Sequence, residues 1–172
     1  TRGFLLNNEL TDFEVNPVTA SGARVANRVE ANKRPRSSMA PTLVFTKAAD
    51  GSRGDLLMVT GSPGGATIIQ FVLKTVISAL DWGMDAQQAT STVNFGAANS
   101  PTTGIGGEHP LIDGANDPLV MGLSAMGHNV VVSSQSSGVS TIIRTPQNGR
   151  IVLQGGADPR REGIALGDGQ RP

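Results

Sequence analysis

The sequence predicts an α+β layered domain. Strand-like runs gather toward both ends of the chain, helical periodicity is confined to the middle, and no strand–helix–strand unit repeats as a parallel sheet would require. No internal repeat, low-complexity tract or linker divides residues 1–172, so the chain reads as a single domain with enough residues for a core.

Phe4-Leu5-Leu6 reads as a short apolar strand running into the polar turn Asn7-Asn8-Glu9. From Asn16 to Arg36 the chain is polar and basic, with Pro17, Gly22 and Pro35, which predicts a long ordered loop. Thr42–Lys47 and Asp55–Thr60 are rich in β-branched and aliphatic residues. With Asp50-Gly51 and Gly54 between them they predict a β-hairpin.

After Gly61-Ser62-Pro63-Gly64-Gly65, apolar residues at Ile68, Ile69, Val72, Leu73, Val76, Ile77 and Leu80 recur at helical spacing. A helix is therefore expected over Ala66–Trp82, with Gly83 as its C′ residue. A shorter helix is expected over Asp85–Thr90, and Asn94–Asn116, dense in Gly and Pro, reads as a loop. The next helix should start at Asp117-Pro118, with Asp as cap and Pro in the first position, and end near Gly127. Strands over Asn129–Ser134, Ser140–Thr145 and Ile151–Gln154 close the chain, and Pro146-Gln147-Asn148-Gly149 is the expected turn between the last two.

Composition narrows the function. The 14 basic and 14 acidic residues cancel, which argues against nucleic acid or an anionic membrane surface as partner. Aromatics are only 3% of the chain, too few for base-stacking platforms. There is no Cys, so neither a disulfide framework nor a thiolate metal site can form. No apolar stretch is long enough to span a membrane, and Thr1-Arg2-Gly3-Phe4 is no signal peptide. His109 and His128 stand apart from other ligands at metal spacing, so no metal and no cofactor is expected.

Four local features carry chemistry. Glu9 and Asp12 are carboxylates three residues apart, suited to an ammonium group, although such a pair alone is usually a solvated turn. Ser37 and Ser38 follow Lys33-Arg34-Pro35-Arg36, so hydroxyl donors lie beside cations in a plausible carboxylate or phosphate receptor; alone, a short basic run is usually a surface loop. Gly61-Ser62-Pro63-Gly64-Gly65 can converge backbone N–H groups at a helix start, which suits an oxyanion as well as a plain tight turn. It has neither the Lys-Ser/Thr ending of a P-loop nor the spacing of a dinucleotide fingerprint. Gly155-Gly156-Ala157-Asp158-Pro159-Arg160-Arg161-Glu162-Gly163 reads as a structural turn in which Asp and Arg pair.

Their order carries more than any one of them. LLNNELTDF, NKRPRSSMAPTLV, VTGSPGG and GGADPRREG in succession resemble the small subunit of γ-glutamyltranspeptidases, a family of N-terminal-nucleophile hydrolases, from Gly3 to about Gly167. The resemblance implies part of an αββα sandwich shared with a large subunit cut from the same precursor. It implies that Glu9 and Asp12 hold the α-amino group of a γ-glutamyl substrate, and that Ser37 and Ser38 contact its α-carboxylate. It implies that Gly64 and Gly65 form the oxyanion hole. The expected substrates are γ-glutamyl compounds such as glutathione, which the enzyme transfers or hydrolyses through a γ-glutamyl-enzyme intermediate. A periplasmic or secreted location follows from the resemblance alone.

The family's nucleophile is an N-terminal Thr a few dozen residues upstream of the LLNNE motif, with its own amine as base. Thr1 stands only eight residues before Glu9 and corresponds to a Thr just ahead of the Gly-Phe-Leu-Leu stretch, so it is not that group. The chain is thus expected to be the C-terminal, partial-domain portion of the small subunit, to lack the nucleophile, and to be inactive alone. Sheet edges left open by the missing strands would invite self-association. Two alternatives remain: a glutaryl or cephalosporin acylase of the same family, whose substrate has no ammonium for Glu9 and Asp12, and a non-catalytic relative.

Overall fold

Hydrogen bonding sorts the strands among the described residues into two sheets, one wholly antiparallel and one containing a parallel pair. The computed structural model describes residues 6–168, and the chain divides into two compact units, one up to Ser38 and one from Met39.

Among the described residues of the first unit there is a single 3₁₀ turn, Glu9–Asp12, followed by irregular chain. Beyond it the backbone runs out and returns: Val18 bridges Arg24 antiparallel, and Glu14 bridges Arg28 in parallel. Glu30 gathers Arg24 (3.1 Å), Arg28 and Lys33 (3.5 Å) around one carboxylate, so the basic stretch is held partly by ion pairs. The ordered loop expected over Asn16–Arg36 is what this segment forms. Of the strand expected at Phe4-Leu5-Leu6, Phe4 and Leu5 lie outside the described residues and Leu6 is irregular.

In the second unit, β1 (Thr42–Lys47) and β2 (Arg53–Gly61) form the expected hairpin. With β6 (Ser140–Gln147) and β7 (Arg150–Ala157) they make an antiparallel sheet ordered β1-β2-β6-β7. Helix α1 (Ile68–Leu80) packs on β2, and α2 (Ala86–Ser91) packs on β7. Ile68, Phe71, Val72 and Thr75 are buried at intervals of three and four, so one face of α1 enters the core with Met58, Ala86, Ala89 and Val139. Ile69 and Leu73, which also belong to the helical pattern, are exposed.

Helix α1 starts later than the apolar spacing predicted, because Gly65–Thr67 form a 3₁₀ turn, and it ends at Leu80, before Trp82. Asp85 caps α2 with a complete capping box to Gln88. Asp117 accepts from the Leu119 N–H at 2.8 Å and caps α3 (Pro118–Ala125) as expected.

Two expectations are corrected. Residues 94–116 are not a continuous loop: β3 (Phe95–Gly96) and β4 (Thr103–Gly106) pair antiparallel, and β4 pairs in parallel with β5 (Val130–Ser133). Half of β4 is glycine, so its pairing is a backbone affair with little side-chain signal. The last hairpin turns on Asn148-Gly149 alone, at φ 50° and 74°, and Pro146 and Gln147 belong to β6. An Asn-Gly pair with both φ positive is the type I′ turn, whose twist matches the strands it joins.

Candidate functional site

The first unit brings together most of the residues picked from sequence. Asn7 Oδ1 accepts the Glu9 N–H at 3.1 Å, and the Asn8 carbonyl accepts both the Thr11 N–H (3.0 Å) and its hydroxyl (2.8 Å). The two asparagines therefore fix the 3₁₀ turn that carries both carboxylates. Glu9 and Asp12 are its first and last residues, and side chains three apart eclipse in a 3₁₀ helix, so both rise from one face. Glu9 Oε1 is buried with no hydrogen-bond partner. A buried carboxylate oxygen left in that state costs on the order of 1–3 kcal/mol until a donor reaches it.

Ser37 and Ser38 follow Arg36 in irregular chain, Ser37 exposed and Ser38 half-buried. What ties them to the carboxylate turn is Asn27, which the sequence did not single out. Its Nδ2 donates to the Asp12 carbonyl at 2.7 Å, and its Oδ1 accepts the Arg36 N–H at 2.9 Å. Its own carbonyl accepts the Glu14 N–H at 2.9 Å, which sets the residue at the base of the out-and-back loop.

Gly64 and Gly65 belong to the second unit. β2 leaves the sheet at Gly61, opposite Ser140, beside a buried hydroxyl pair of Thr60 and Thr141 at 2.9 Å. Ser62 Oγ donates to the Pro63 carbonyl at 2.7 Å and accepts the Gly138 N–H at 3.1 Å, anchoring the loop. Gly64 sits at φ 141°, and a Cβ there would lie 2.5 Å from the buried Phe71 ring. Gly65, at φ 57°, would meet nothing within 4 Å, so the loop is packed at one glycine and open at the next.

The Gly64 carbonyl accepts the Thr67 hydroxyl at 2.8 Å and its N–H at 3.3 Å. In a trans peptide the following N–H points opposite to the carbonyl, so the Gly65 N–H is directed away from that turn. A donor turned out of the loop at the start of a helix suits an oxygen bearing developing negative charge.

The fourth motif is corrected in part: residues 155–157 belong to β7 rather than to a turn, because their backbones pair with β6, whereas the expected Asp–Arg pair does form. Asp158 is 3% exposed and pairs with Arg160 at 3.1 Å; it also accepts from the Ser137 hydroxyl and from the Val139 N–H at 3.1 Å. Burial alone would raise its carboxyl, but bonds from Ser137, the Arg160 N–H, Val139 and the guanidinium outweigh it and hold the group below its ordinary value. Arg160 also reaches Glu108 (2.7 Å) and the Thr92 carbonyl (2.9 Å). Lys74, 2% exposed, donates to the carbonyls of Thr90 (3.3 Å) and Thr92 (3.2 Å). Burial, with Arg160 nearby, pulls its ammonium down to about 8.

A cavity of about 430 Å³ opens beside Ser91, Glu108, His109 and Arg160, but the charged groups around it are engaged within the protein and none of Glu9, Asp12, Ser37, Ser38, Gly64 and Gly65 lines it. His109 bonds the Ser91 carbonyl and His128 the Thr103 hydroxyl. Among the described residues no group of three His, Cys, Asp or Glu is arranged to hold a metal ion.

Comparison with known proteins identifies a family and its relatives. The protein-family model described as gamma-glutamyltranspeptidase matches residues 1–168. The glutathione hydrolase proenzyme of Bacillus subtilis strain 168 is 36% identical over 96% of this chain and 25% of its own length. That of Escherichia coli K12 is 33% identical over 92% of this chain and 26% of its own length. The chain thus spans about a quarter of the length of the curated relatives it matches. The crystal structure of a mutant γ-glutamyltranspeptidase from Helicobacter pylori superposes with a TM-score of 0.70 at 33% identity, covering 93% of this chain and 83% of that one.

Proposed function

The chain belongs to the γ-glutamyltranspeptidase family, and from that premise we propose that it supplies donor-recognition and oxyanion groups to an enzyme that transfers or hydrolyses γ-glutamyl groups. The substrates are glutathione-type compounds. Glu9 and Asp12 take the α-ammonium, Ser37 and Ser38 the α-carboxylate, and the backbone N–H groups of Gly64 and Gly65 the oxyanion.

The observation that carries this reading is the buried, unpartnered Glu9 Oε1 on the same face as Asp12. Two carboxylates side by side, one with an unmet acceptor, form a receptor for a cation with several N–H donors, which an amino-acid ammonium is. A glutaryl group has no such cation and would leave both carboxylates unmatched, so an acylase reading does not use this feature.

In the proposed reaction a hydroxyl attacks the γ-glutamyl carbonyl and the carbonyl electrons move onto oxygen, where N–H donors stabilise the charge. The amine then leaves with a proton, and water or an acceptor amine takes the acyl group in the second half. None of the 172 residues is assigned the attacking role; that group and a large subunit belong to the longer precursor in this proposal. An exported location is part of the same reading, and cell fractionation tests it.

The direct test is intact mass and N-terminal sequencing of the full-length gene product, with an assay on a γ-glutamyl anilide. Cleavage that exposes a Thr some dozens of residues ahead of Phe4, together with turnover, is the expected result. A precursor that stays uncut and inert makes the parent a non-catalytic relative.

A further inference from the structure

Asp12 and Arg36 are 24 residues apart, yet one side chain holds both backbones. The Asn27 amide spends its donor on the Asp12 carbonyl (2.7 Å) and its acceptor on the Arg36 N–H (2.9 Å). Asp12 is the last residue of the carboxylate turn, and Arg36 immediately precedes Ser37. Fixing a carbonyl fixes its peptide plane, and with it the position of the adjacent Cα from which the side chain departs.

We infer that Asn27 is a positioning residue that sets the spacing between the ammonium receptor, Glu9 and Asp12, and the carboxylate receptor, Ser37 and Ser38. The inference rests on that assignment of the four residues to the γ-glutamyl group. The α-ammonium and α-carboxylate of an amino acid share one carbon, so the two receptors must stand at one short separation. Neither segment has regular structure beyond a single 3₁₀ turn to fix it, and the amide supplies the missing cross-link. The linkage has to be bifunctional: a carbonyl needs a donor, an N–H needs an acceptor, and a primary amide offers both from one planar group.

The test uses the full-length gene product, with kcat and KM for a γ-glutamyl anilide and the inhibition constant of free L-glutamate. Asn27→Ala removes both bonds. Asn27→Asp keeps the size and the acceptor for Arg36 but has no donor for Asp12. Both variants are expected to raise KM and the glutamate constant about tenfold, the loss of one or two net hydrogen bonds, with kcat within about twofold. A change confined to stability would lower kcat through a smaller active fraction and leave the glutamate constant of the surviving enzyme unchanged, and that result overturns the inference. Asp12→Asn is run beside them. If it leaves the glutamate constant unmoved, the site assignment itself is wrong; if it weakens glutamate while both Asn27 variants bind normally, the assignment stands and the role of Asn27 is refuted.

Discussion

The Thr67 hydroxyl donates to the carbonyl oxygen of Gly64 at 2.8 Å, and this bond holds the peptide plane whose other end is the Gly65 N–H, directed away from the turn. An oxyanion donor is effective because it is already oriented when the charge forms. Thr67→Val keeps the shape and removes the bond. It should lower kcat of the full-length enzyme about tenfold with KM nearly unchanged, less than the roughly hundredfold or more that follows loss of a donor outright. Thr67→Ser should recover most of the loss, and steady-state kinetics on a γ-glutamyl anilide decides both.

The two glycines of this loop should respond differently to alanine. At Gly64 the new methyl meets the Phe71 ring at 2.5 Å with φ at 141°, so Gly64→Ala should cost about 3 kcal/mol in denaturant unfolding. At Gly65 nothing is within 4 Å, and only the left-handed backbone charges a cost, about 1 kcal/mol. Phe71→Leu in the Gly64→Ala background should recover part of the first loss and none of the second. Equal losses at the two positions would refute the packing account.

Lys74 predicts an alkaline signature. Its folded value, about 8, lies below the ordinary lysine value of 10.5, so between these pH values the unfolded chain binds more protons than the folded one. Stability therefore rises with pH across that window, by up to about 3 kcal/mol. The chain contains no Cys and no Tyr to obscure the effect. Unfolding measured from pH 7 to 10.5 should show a rising component that Lys74→Met lacks.

The acid side belongs to Asp158. A carboxyl held below its unfolded value stabilises the fold above that value, and the contribution disappears as pH falls through the folded one. Asp158→Asn should cost about 3 kcal/mol at neutral pH, because Arg160 is left buried with one carboxylate fewer. The penalty should shrink as pH falls through the lowered folded value, below which the wild-type carboxyl is protonated as well. A penalty independent of pH would assign the loss to packing instead.

Most of the elements were legible because their signals are local. The β-branched run of Thr42–Lys47, the capping residues Asp85 and Asp117 and the apolar spacing of α1 each act within a few residues of themselves. Strand β4 was not legible, since its parallel partner β5 begins 27 residues later and two of its four residues are glycine. The Asn148-Gly149 turn was in view, but Pro146 drew the expected turn two residues too wide; at the end of an edge hairpin a Pro can still pair. Glu9, Asp12, Ser37, Ser38, Gly64 and Gly65 are proposed from motifs, whereas Asn27, Thr67 and Phe71 act through contacts that no spacing announces.

The central claim is that Glu9 and Asp12 recognise an α-ammonium. Its most direct measurement is the ratio of kcat/KM for a γ-glutamyl anilide to that for the matching glutaryl anilide, in the full-length enzyme and in Asp12→Asn. A buried, charge-paired ammonium supports a preference on the order of a thousandfold or more, because the glutaryl compound leaves two carboxylates unmatched. Such a preference is expected in the wild type, with collapse toward unity in the variant. Comparable turnover of both anilides, or a preference untouched by Asp12→Asn, would contradict it.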